Sequence, residues 1–304
     1  MRSSRSIAFV VLAIAPAALI AACGLDAVGT LSFDAVPVGE RTDGGAVDVG
    51  SVDGAVVDVG SVDGGAVDVG IVDAGAVDAT VDAADAGALT ALSFDGVDDF
   101  VRVLRQVQDD FTLEAWMSTV TSRSGSNFYD GLGVVYADVS GSASDFGTSI
   151  VNGKLAFGTV DNTILSTTTV TSGAWVHMAA VRVRSTGTMR VVINGVEEST
   201  TTGNSTATLT APASIDIGGN TIDSRYFKGK LDEIRIWNVA RTTAQIAATM
   251  KMRLTGGEAG LVGYWRFDDG AGAVALDSSP SANQGALGNG VAASRPTWSP
   301  SGAF

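Results

Sequence analysis

The sequence predicts an all-β fold for residues 89–304, an antiparallel two-sheet jelly-roll β-sandwich with one short helix. Three observations support this prediction. Short stretches of alternating apolar and polar residues recur through the region, Gly, Asn and Asp separate them, and a single helical pattern interrupts the series. A stretch of this length suits one sandwich.

Composition restricts the possible functions of the chain. Its 304 residues include 19 Lys+Arg and 33 Asp+Glu, and the formal charge of −14 disfavours nucleic acid as a partner. A single Cys excludes a disulfide framework and a thiolate metal cluster, and a single His excludes a His-rich zinc site. All five Trp and all four Tyr lie beyond residue 115, so we expect the packed core there.

Residues 1–22 have the pattern of an export signal. Arg2 and Arg5 precede an apolar run that is short for a bilayer span, which is typical of a secretory signal peptide. The run ends in Ile-Ala-Ala-Cys23, which resembles the lipobox of bacterial lipoproteins. The resemblance implies lipidation of Cys23, and Gly24 after it implies sorting to the outer membrane of a Gram-negative bacterium. An uncleaved anchor helix, or an ordinary signal followed by a chance Cys, remains an alternative.

Residues 23–88 contain a ten-residue repeat of the form Gly-Gly-Ala-Val-Asp-Val-Gly-Ser-Val-Asp. Val and Ala are its apolar groups, so little surface could be buried to offset a backbone entropy cost of roughly 1–2 kcal/mol per residue. The regularly spaced Asp charges also repel one another. We therefore predict a disordered tether, with a weak β-solenoid or calcium-binding array as the alternative.

The elements of residues 89–304 follow from local patterns. The stretch 111–118 alternates, with Phe111, Leu113, Ala115 and Met117 on one face. Asn-Gly pairs at 152–153 and 194–195 predict two type I′ hairpins. The helix is expected after Thr242, which can form a capping box with Gln245.

Six short sequence motifs support a resemblance to a known family. They are Leu-Ser-Phe-Asp-Gly-Val-Asp-Asp-Phe-Val (92–101), Phe-Thr-Leu-Glu-Ala-Trp-Met (111–117), Trp-Val-His-Met-Ala (175–179), Val-Ile-Asn-Gly (192–195), Gly-Lys-Leu-Asp-Glu-Ile-Arg-Ile-Trp-Asn (229–238) and Gly-Leu-Val-Gly-Tyr-Trp-Arg-Phe-Asp (260–268). This series resembles the LamG-like jellyroll family of the concanavalin A-like lectin/glucanase fold. The resemblance implies a core over 88–250. In many relatives the last of these motifs lies at the start of the module, whereas here it lies at the end. We therefore expect residues 260–300 to form terminal strands of the same module.

Catalysis is not expected. The hydrolases of this fold carry a Glu-x-Asp-x-x-Glu strand, and the sequence contains no such run. Asp232 and Glu233 are neighbours in a predicted strand, so their side chains should point to opposite faces. His177 lies between apolar residues and is expected to be structural. Carboxylates brought together from distant strands remain possible.

Calcium is a possible structural ion. Asp95, Asp98 and Asp99 cluster in a Gly-containing turn, and Ca²⁺ prefers oxygen ligands of this kind. Asp232 should share a strand face with Ile234 and Ile236, where a buried carboxylate would need a cation or backbone donors. The alternative is that these Asp residues shape turns or bond to the backbone.

Ligand-binding residues are harder to predict. The strand tryptophans are expected to pack in the core, whereas loop residues could form a binding rim. The candidates for that rim are Asn127, Tyr129, Arg225 and Tyr226.

Together these patterns indicate a lipid-anchored, surface-displayed binding module that is not an enzyme and is expected to be monomeric. The expected ligand is a glycan, in recognition or adhesion. The alternatives are a module that binds an extracellular protein, a structural component of the cell envelope and, less favoured, a glycoside hydrolase of the same fold.

Overall fold

A computed structural model describes residues 89–139, 141, 144–160, 162–210 and 212–304. The predicted signal peptide, Cys23 and the predicted tether lie outside the described residues. Among those described, no helix is long and apolar enough to cross a bilayer.

The described chain is built almost entirely from strands. The first nine strands are β1 (Thr90–Asp95), β2 (Val101–Leu104), β3 (Phe111–Ser118), β4 (Leu132–Ala137), β5 (Phe146–Val151), β6 (Lys154–Thr159), β7 (Asn162–Leu165), β8 (Val176–Val183) and β9 (Thr188–Ile193). They are followed by β10 (Val196–Thr201), β11 (Ser214–Ile217), β12 (Gly219–Asn220), β13 (Arg225–Tyr226), β14 (Lys228–Trp237), helix α1 (Thr243–Thr249), β15 (Leu261–Trp265), β16 (Val274–Ala275), β17 (Gly285–Leu287) and β18 (Thr297–Pro300).

Two antiparallel eight-stranded sheets form the sandwich, which confirms the predicted fold class. The first sheet has the order β10-β9-β8-β3-β14-β1-β18, with β15 pairing along the second half of β14. The second sheet has the order β16-β17-β2-β11-β4-β5-β6-β7, and β12 and β13 form a separate short ribbon. Residues beyond 260 therefore contribute strands to both sheets.

The core lies between the sheets and follows the predicted alternation. Phe111, Leu113, Ala115 and Met117 of β3 all belong to the main apolar cluster. The Phe111 ring contacts Phe146 of the opposite sheet, with centroids 4.8 Å apart. Trp265 of β15 is fully buried in the same cluster. Burial of this apolar surface between the sheets is the main force that holds the sandwich together.

The turns and the helix form where their residue types predict. Asn152 and Asn194 have positive φ angles of 50° and 49°, and each is followed by a Gly that is also positive. This is the geometry that a two-residue type I′ hairpin requires. Thr242 caps α1, accepting a hydrogen bond from the Gln245 backbone N–H while the Gln245 side chain accepts from the Thr242 backbone.

The outer face of the first sheet carries a buried polar layer that the sequence did not reveal. Beneath α1 and the segment after it lie Glu114, His177, Arg235 and Arg241, all less than 10% exposed. Arg241 donates to Glu114 at 2.5 Å, and His177 Nε2 lies 3.4 Å from the other Glu114 oxygen. His177 is 1% exposed and lies against the Glu114 carboxylate, which is a structural setting.

A β-bulge in β14 overturns two expectations about its acidic residues. The register with β3 shifts between Asp232 and Arg235, and Glu233 takes a φ of 50°. The extra residue reverses the alternation, because a bulge places two residues opposite one. Asp232 therefore does not share the face of Ile234, which packs in the core. Glu233 accepts from Arg235, at 2.7 Å, so it lies on the same outer side as Asp232 and not opposite it.

Candidate functional site

A row of residues crosses the outer face of the second sheet and forms the floor of the candidate site. Strand pairing sets the row, which runs Val274, Ala286, Arg102, Asp216, Tyr136, Gly147, Gly158 and Thr163. A Cβ at Gly158 would lie 1.8 Å from the Phe128 ring, and one at Gly147 would lie 2.6 Å from the Tyr136 ring. The two glycines therefore let both aromatic rings lie close against the sheet.

A cavity of about 180 Å³ opens beside this row. Its polar lining comes from Arg102, Tyr136, Asp138, Ser214, Asp216, Asn220 and Thr221. Val139, Pro212 and Ile222 add apolar surface. Polar groups that converge on a partly open cavity with some apolar lining are typical of small-ligand sites.

One side of the cavity is a saturated ion pair. Arg102 donates to both oxygens of Asp216, at 2.7 and 2.9 Å, and Thr221 donates to the same carboxylate at 2.6 Å. The hydrogen bonds that Arg102 donates to Asp216 raise the pKa of Arg102 above its ordinary value. The Arg102 guanidinium also lies over the Phe100 ring, 4.9 Å from its centroid. This side is thus rigid and close to neutral.

The opposite side contains a polar group with no partner. Tyr136 is 2% exposed, and its hydroxyl has no hydrogen-bond partner among the described residues. Burial, with smaller contributions from Asp138 and Asp145, raises the pKa of Tyr136. An unsatisfied buried hydroxyl costs roughly 1–3 kcal/mol. A ligand that supplies the missing hydrogen bond would recover that cost.

Asp138 and Asn220 complete this side. The Asn220 Oδ1 accepts the backbone N–H groups of Ile222 and Asp223, which fixes the orientation of the amide. Its Nδ2 then donates to Asp138 at 2.8 Å and approaches Asp223 at 3.5 Å. Burial, followed by the charge of Asp223, raises the pKa of Asp138. Asp138 and Asp223 thus lie within about 6 Å of each other, on either side of one amide.

The four predicted rim residues lie around the same face. Tyr129 packs edge-on against Phe128, whose ring stacks on Tyr136 at 5.5 Å. Asn127 begins the short 3-10 turn that holds this pair. Arg225 pairs with the Asp223 carboxylate at 3.1 Å.

Tyr226 covers Gly219, and its hydroxyl is close enough to Arg102 to help raise the pKa of that guanidinium. The predicted residues therefore surround the cavity without lining it. Tyr136, Asp138 and Asn220, which do line it, were missed by the sequence reasoning. Only Asn220, in a Gly-Gly-Asn turn before a Thr, carried a local signal.

The predicted calcium residues divide into two places. One carboxylate oxygen from each of Asp95, Asp98 and Asp99 lies within 4.8 Å of the others. Burial raises the pKa of Asp99, and the charges of Asp95 and Asp98 raise it further. A cation held by the three oxygens would relieve this repulsion, so the turn fits Ca²⁺ as part of its oxygen shell.

Asp232 is not part of that turn. Its carboxylate accepts from the Ser301 hydroxyl and from the Glu233 backbone N–H, the latter at 2.9 Å. Burial is the main reason why the pKa of Asp232 rises to about 7. The donors come from the protein itself, so hydrogen bonds within the fold, and not a cation, stabilise this carboxyl.

A second, more open depression of about 500 Å³ is a weaker candidate. It is lined by Asp109, Asp110, Arg184, Ser185, Thr206 and Asn238. Arg184 already pairs with Asp109 at 3.2 Å, and both side chains are more than 40% exposed. Solvent screens such a pair, and no unpartnered buried group in the described chain lines this depression.

Comparison with known proteins places the chain in a family. Residues 95–247 match the Laminin_G_3 family, described as the concanavalin A-like lectin/glucanases superfamily. The match spans half of the chain, so the protein belongs to this family. A search of curated proteins finds no match.

Solved structures share the fold. A candidate carbohydrate-binding protein from Bacteroides ovatus has a TM-score of 0.55 and 19% identity, covering 72% of this chain and 62% of its own. The chain thus spans less than two thirds of that relative. The Ruminococcus gnavus IT-sialidase CBM40 bound to α2,3-sialyllactose has a TM-score of 0.44 and 11% identity, covering 53% of this chain and 98% of its own. Mouse laminin α1 domains LG4–5 have a TM-score of 0.40 and 16% identity, covering 52% of this chain and 44% of theirs. At these identities the likeness concerns the fold alone.

Proposed function

We propose that the protein is a non-catalytic glycan-binding module and that its site is the cavity beside Tyr136. The observation that carries this proposal is the buried, unpartnered Tyr136 hydroxyl, which lines the cavity together with Asp138 and Asn220. Saccharides present closely spaced hydroxyl groups that both donate and accept hydrogen bonds. Such a ligand can accept from Tyr136 and donate to Asp138 at the same time.

The size and lining of the cavity support a saccharide. At about 180 Å³ it is smaller than the roughly 300–1,000 Å³ of pockets that enclose drug-sized ligands. A single sugar unit suits this space, with the rest of the chain lying along the open face. The apolar surfaces of Val139 and Ile222 would contact the C–H groups of the ring.

The first prediction tests this site with Tyr136→Phe. The substitution removes only the unpartnered hydroxyl, so the variant should be at least as stable as the wild type, by up to roughly 1–3 kcal/mol, while losing roughly fivefold or more in glycan affinity, the range of one hydrogen bond. The full chain and the variant would be compared on a glycan array, and hits would be measured by calorimetry, with melting temperatures recorded in parallel.

A blank array for the wild-type chain would overturn glycan binding and favour the alternative, a protein-binding or structural envelope component. Equal affinities of the two chains for an array hit would move the site away from this cavity. A matched control is Asp109→Asn in the open depression, which should leave binding unchanged.

A hydrolase of the same fold needs two facing carboxylates, and Asp138 and Asp223 are close enough to be considered. The Asn220 amide lies between them, and Arg225 is paired with Asp223. Glycosidases need the space between their two carboxyls for the glycosidic bond, with about 5–5.5 Å between the carboxyls in retaining enzymes and about 6.5–9.5 Å in inverting ones. The arrangement therefore supports binding over hydrolysis, and incubating an array hit with the full chain should release no new reducing ends.

We also propose that the module is displayed on the surface of a Gram-negative bacterium through lipid on Cys23. The support is the sequence alone: a signal-like start, a lipobox-like end and a repeat suited to a tether. The glycan or extracellular partner would then be met outside the cell.

A further inference from the structure

Three exposed aliphatic side chains lie beside the cavity, on the outer face of the second sheet. They belong to Leu104, Val274 and Leu276, which are 67%, 45% and 57% exposed. Leu104 pairs directly with Ser214, which lines the cavity, so these two side chains are neighbours on one face. Val274 lies in the row that leads across the sheet to Arg102. Leu104, Val274 and Leu276 form an aliphatic strip that extends the candidate site towards the edge of the sheet.

The alternation of the strands places the aliphatic strip on one face. On β16, Ala275 is buried between the exposed Val274 and Leu276, and on β2, Val103 is buried beside the exposed Leu104. Only β17 lies between these two strands in the sheet. The distance across the strip is therefore about two strand spacings, roughly 10 Å. One narrow, extended apolar group can contact all of it.

The apolar part of the candidate site is aliphatic as well. Val139, Pro212 and Ile222 give the cavity its apolar lining. Among the described residues that line it, Tyr136 is the one aromatic, and its ring is 2% exposed and stacks on Phe128. The ring therefore offers no free face on which a sugar could stack. Flexible aliphatic side chains of this kind suit a chain of methylene groups.

The aliphatic strip is too small for a protein partner. A stable protein interface buries roughly 800 Å² on each side, and its binding energy is concentrated in residues such as Trp, Tyr and Arg. Three partly exposed aliphatic side chains supply a small part of that area, and none of them is of this type. The dimensions of the strip fit a single hydrocarbon chain instead.

We infer that the protein binds a saccharide with an aliphatic aglycone, the chemistry of a glycolipid, with the sugar unit in the cavity and the chain along the aliphatic strip. The inference rests on the proposed function and names the class of its ligand. A chain attached through the glycosidic bond leaves the other hydroxyls of that sugar unit free to bond to Tyr136 and the rest of the polar lining. Each methylene that is buried against the strip then adds to the affinity.

The test compares octyl and methyl β-glycosides of the same sugar, for glucose, galactose and N-acetylglucosamine. Titration calorimetry on the full chain, with each octyl glycoside below its micelle concentration, measures the ratio of the two affinities. A methylene that is half buried adds a factor of about two. We expect at least one octyl glycoside to bind on the order of tenfold more tightly than its methyl counterpart.

Variants locate the hydrocarbon chain on the molecule. Leu104→Ser and Leu276→Ser should each lose most of the octyl preference, and neither change removes a core side chain. The matched control is Val196→Ser, which should keep the preference, because Val196 is 63% exposed on β10 of the first sheet.

Three results would overturn the inference. Equal affinities of the wild type for both members of every pair would do so while leaving glycan binding in place, since Tyr136→Phe tests that function separately. A preference that survives in both Leu104→Ser and Leu276→Ser would place the chain elsewhere. Octyl glycosides that do not bind at all would exclude the aliphatic aglycone, and the glycan array would still decide the proposed function.

Discussion

At the scale of single residues, two buried carboxyls of the first sheet, Glu114 and Asp232, show how neighbouring groups decide whether the charged form is favoured. Burial acts to raise the pKa of Glu114, but His177, Arg241 and Arg235 outweigh it and lower the pKa. Asp232 has no basic partner among the described residues that contact it, and its pKa rises to about 7. Of these two carboxyls, Asp232 is the one whose neutral form the fold favours.

This difference predicts an unusual pH dependence for Asp232. The folded state binds the Asp232 proton more tightly than the unfolded chain, so the carboxyl contributes stability at low pH that is lost as the pH rises from about 4 to about 7. The loss is of order 1–4 kcal/mol. Asp232→Asn, which stays neutral, should be more stable than the wild type at pH 8 and not at pH 4.

Urea denaturation across this pH range measures the effect as the difference between the two proteins. A difference that does not change with pH would contradict the prediction. Asp109→Asn, an exposed acid in a surface ion pair, provides the control and should show a small difference at every pH.

At the scale of elements, the turn between β1 and β2 is the part of the fold most suited to a cation. Gly96 has a φ of 81°, and the turn gathers the three carboxylates of Asp95, Asp98 and Asp99. Two of the carboxylates accept hydrogen bonds within the fold. Asp99 accepts from the Asp95 backbone N–H, and Asp98 accepts from the Ser294 hydroxyl. One oxygen of each side chain nevertheless lies within 4.8 Å of the others, close enough for the three to share a cation.

We propose that this turn binds Ca²⁺ and predict that calcium stabilises the fold. At a concentration about 100 times the dissociation constant, binding adds about 2.7 kcal/mol, which corresponds to a melting temperature roughly 5–10 °C higher. Asp99→Asn should lose this response, and Asp109→Asn should keep it. A calorimetric scan of the full chain that is the same in CaCl₂ and in EDTA would contradict the proposal.

At the scale of the whole molecule, the sequence predicts features that depend on neighbours in the chain. The alternation of 111–117, the two Asn-Gly hairpins and the capped helix are of this kind. The bulge at Glu233 gave no such signal, because no Gly marks it. The candidate site could not be predicted either. Asp138 and Asn220 are far apart in the sequence, and the pairing of β4 with β11 brings them within hydrogen-bond distance.

The remaining whole-molecule prediction concerns attachment. When the full chain is expressed in a Gram-negative host with a clickable fatty acid, it should incorporate the label and sediment with membranes, and Cys23→Ser should do neither. The variant must still be exported for the comparison to be valid, which its recovery in the periplasmic fraction would show. Labelling of Cys23→Ser at the wild-type level would refute lipidation at this residue.

The position of β1 has a mechanical consequence. This strand is the first of the described chain, and it is hydrogen-bonded along one edge to β14 and along the other to β18. Tension transmitted through the preceding residues would enter the sandwich at Leu89, where Ser301 also donates its N–H to the carbonyl. A pulling force applied there must break both ladders and withdraw Leu92 and Phe94 from the main apolar cluster at the same time, so the fold should resist load at its first strand.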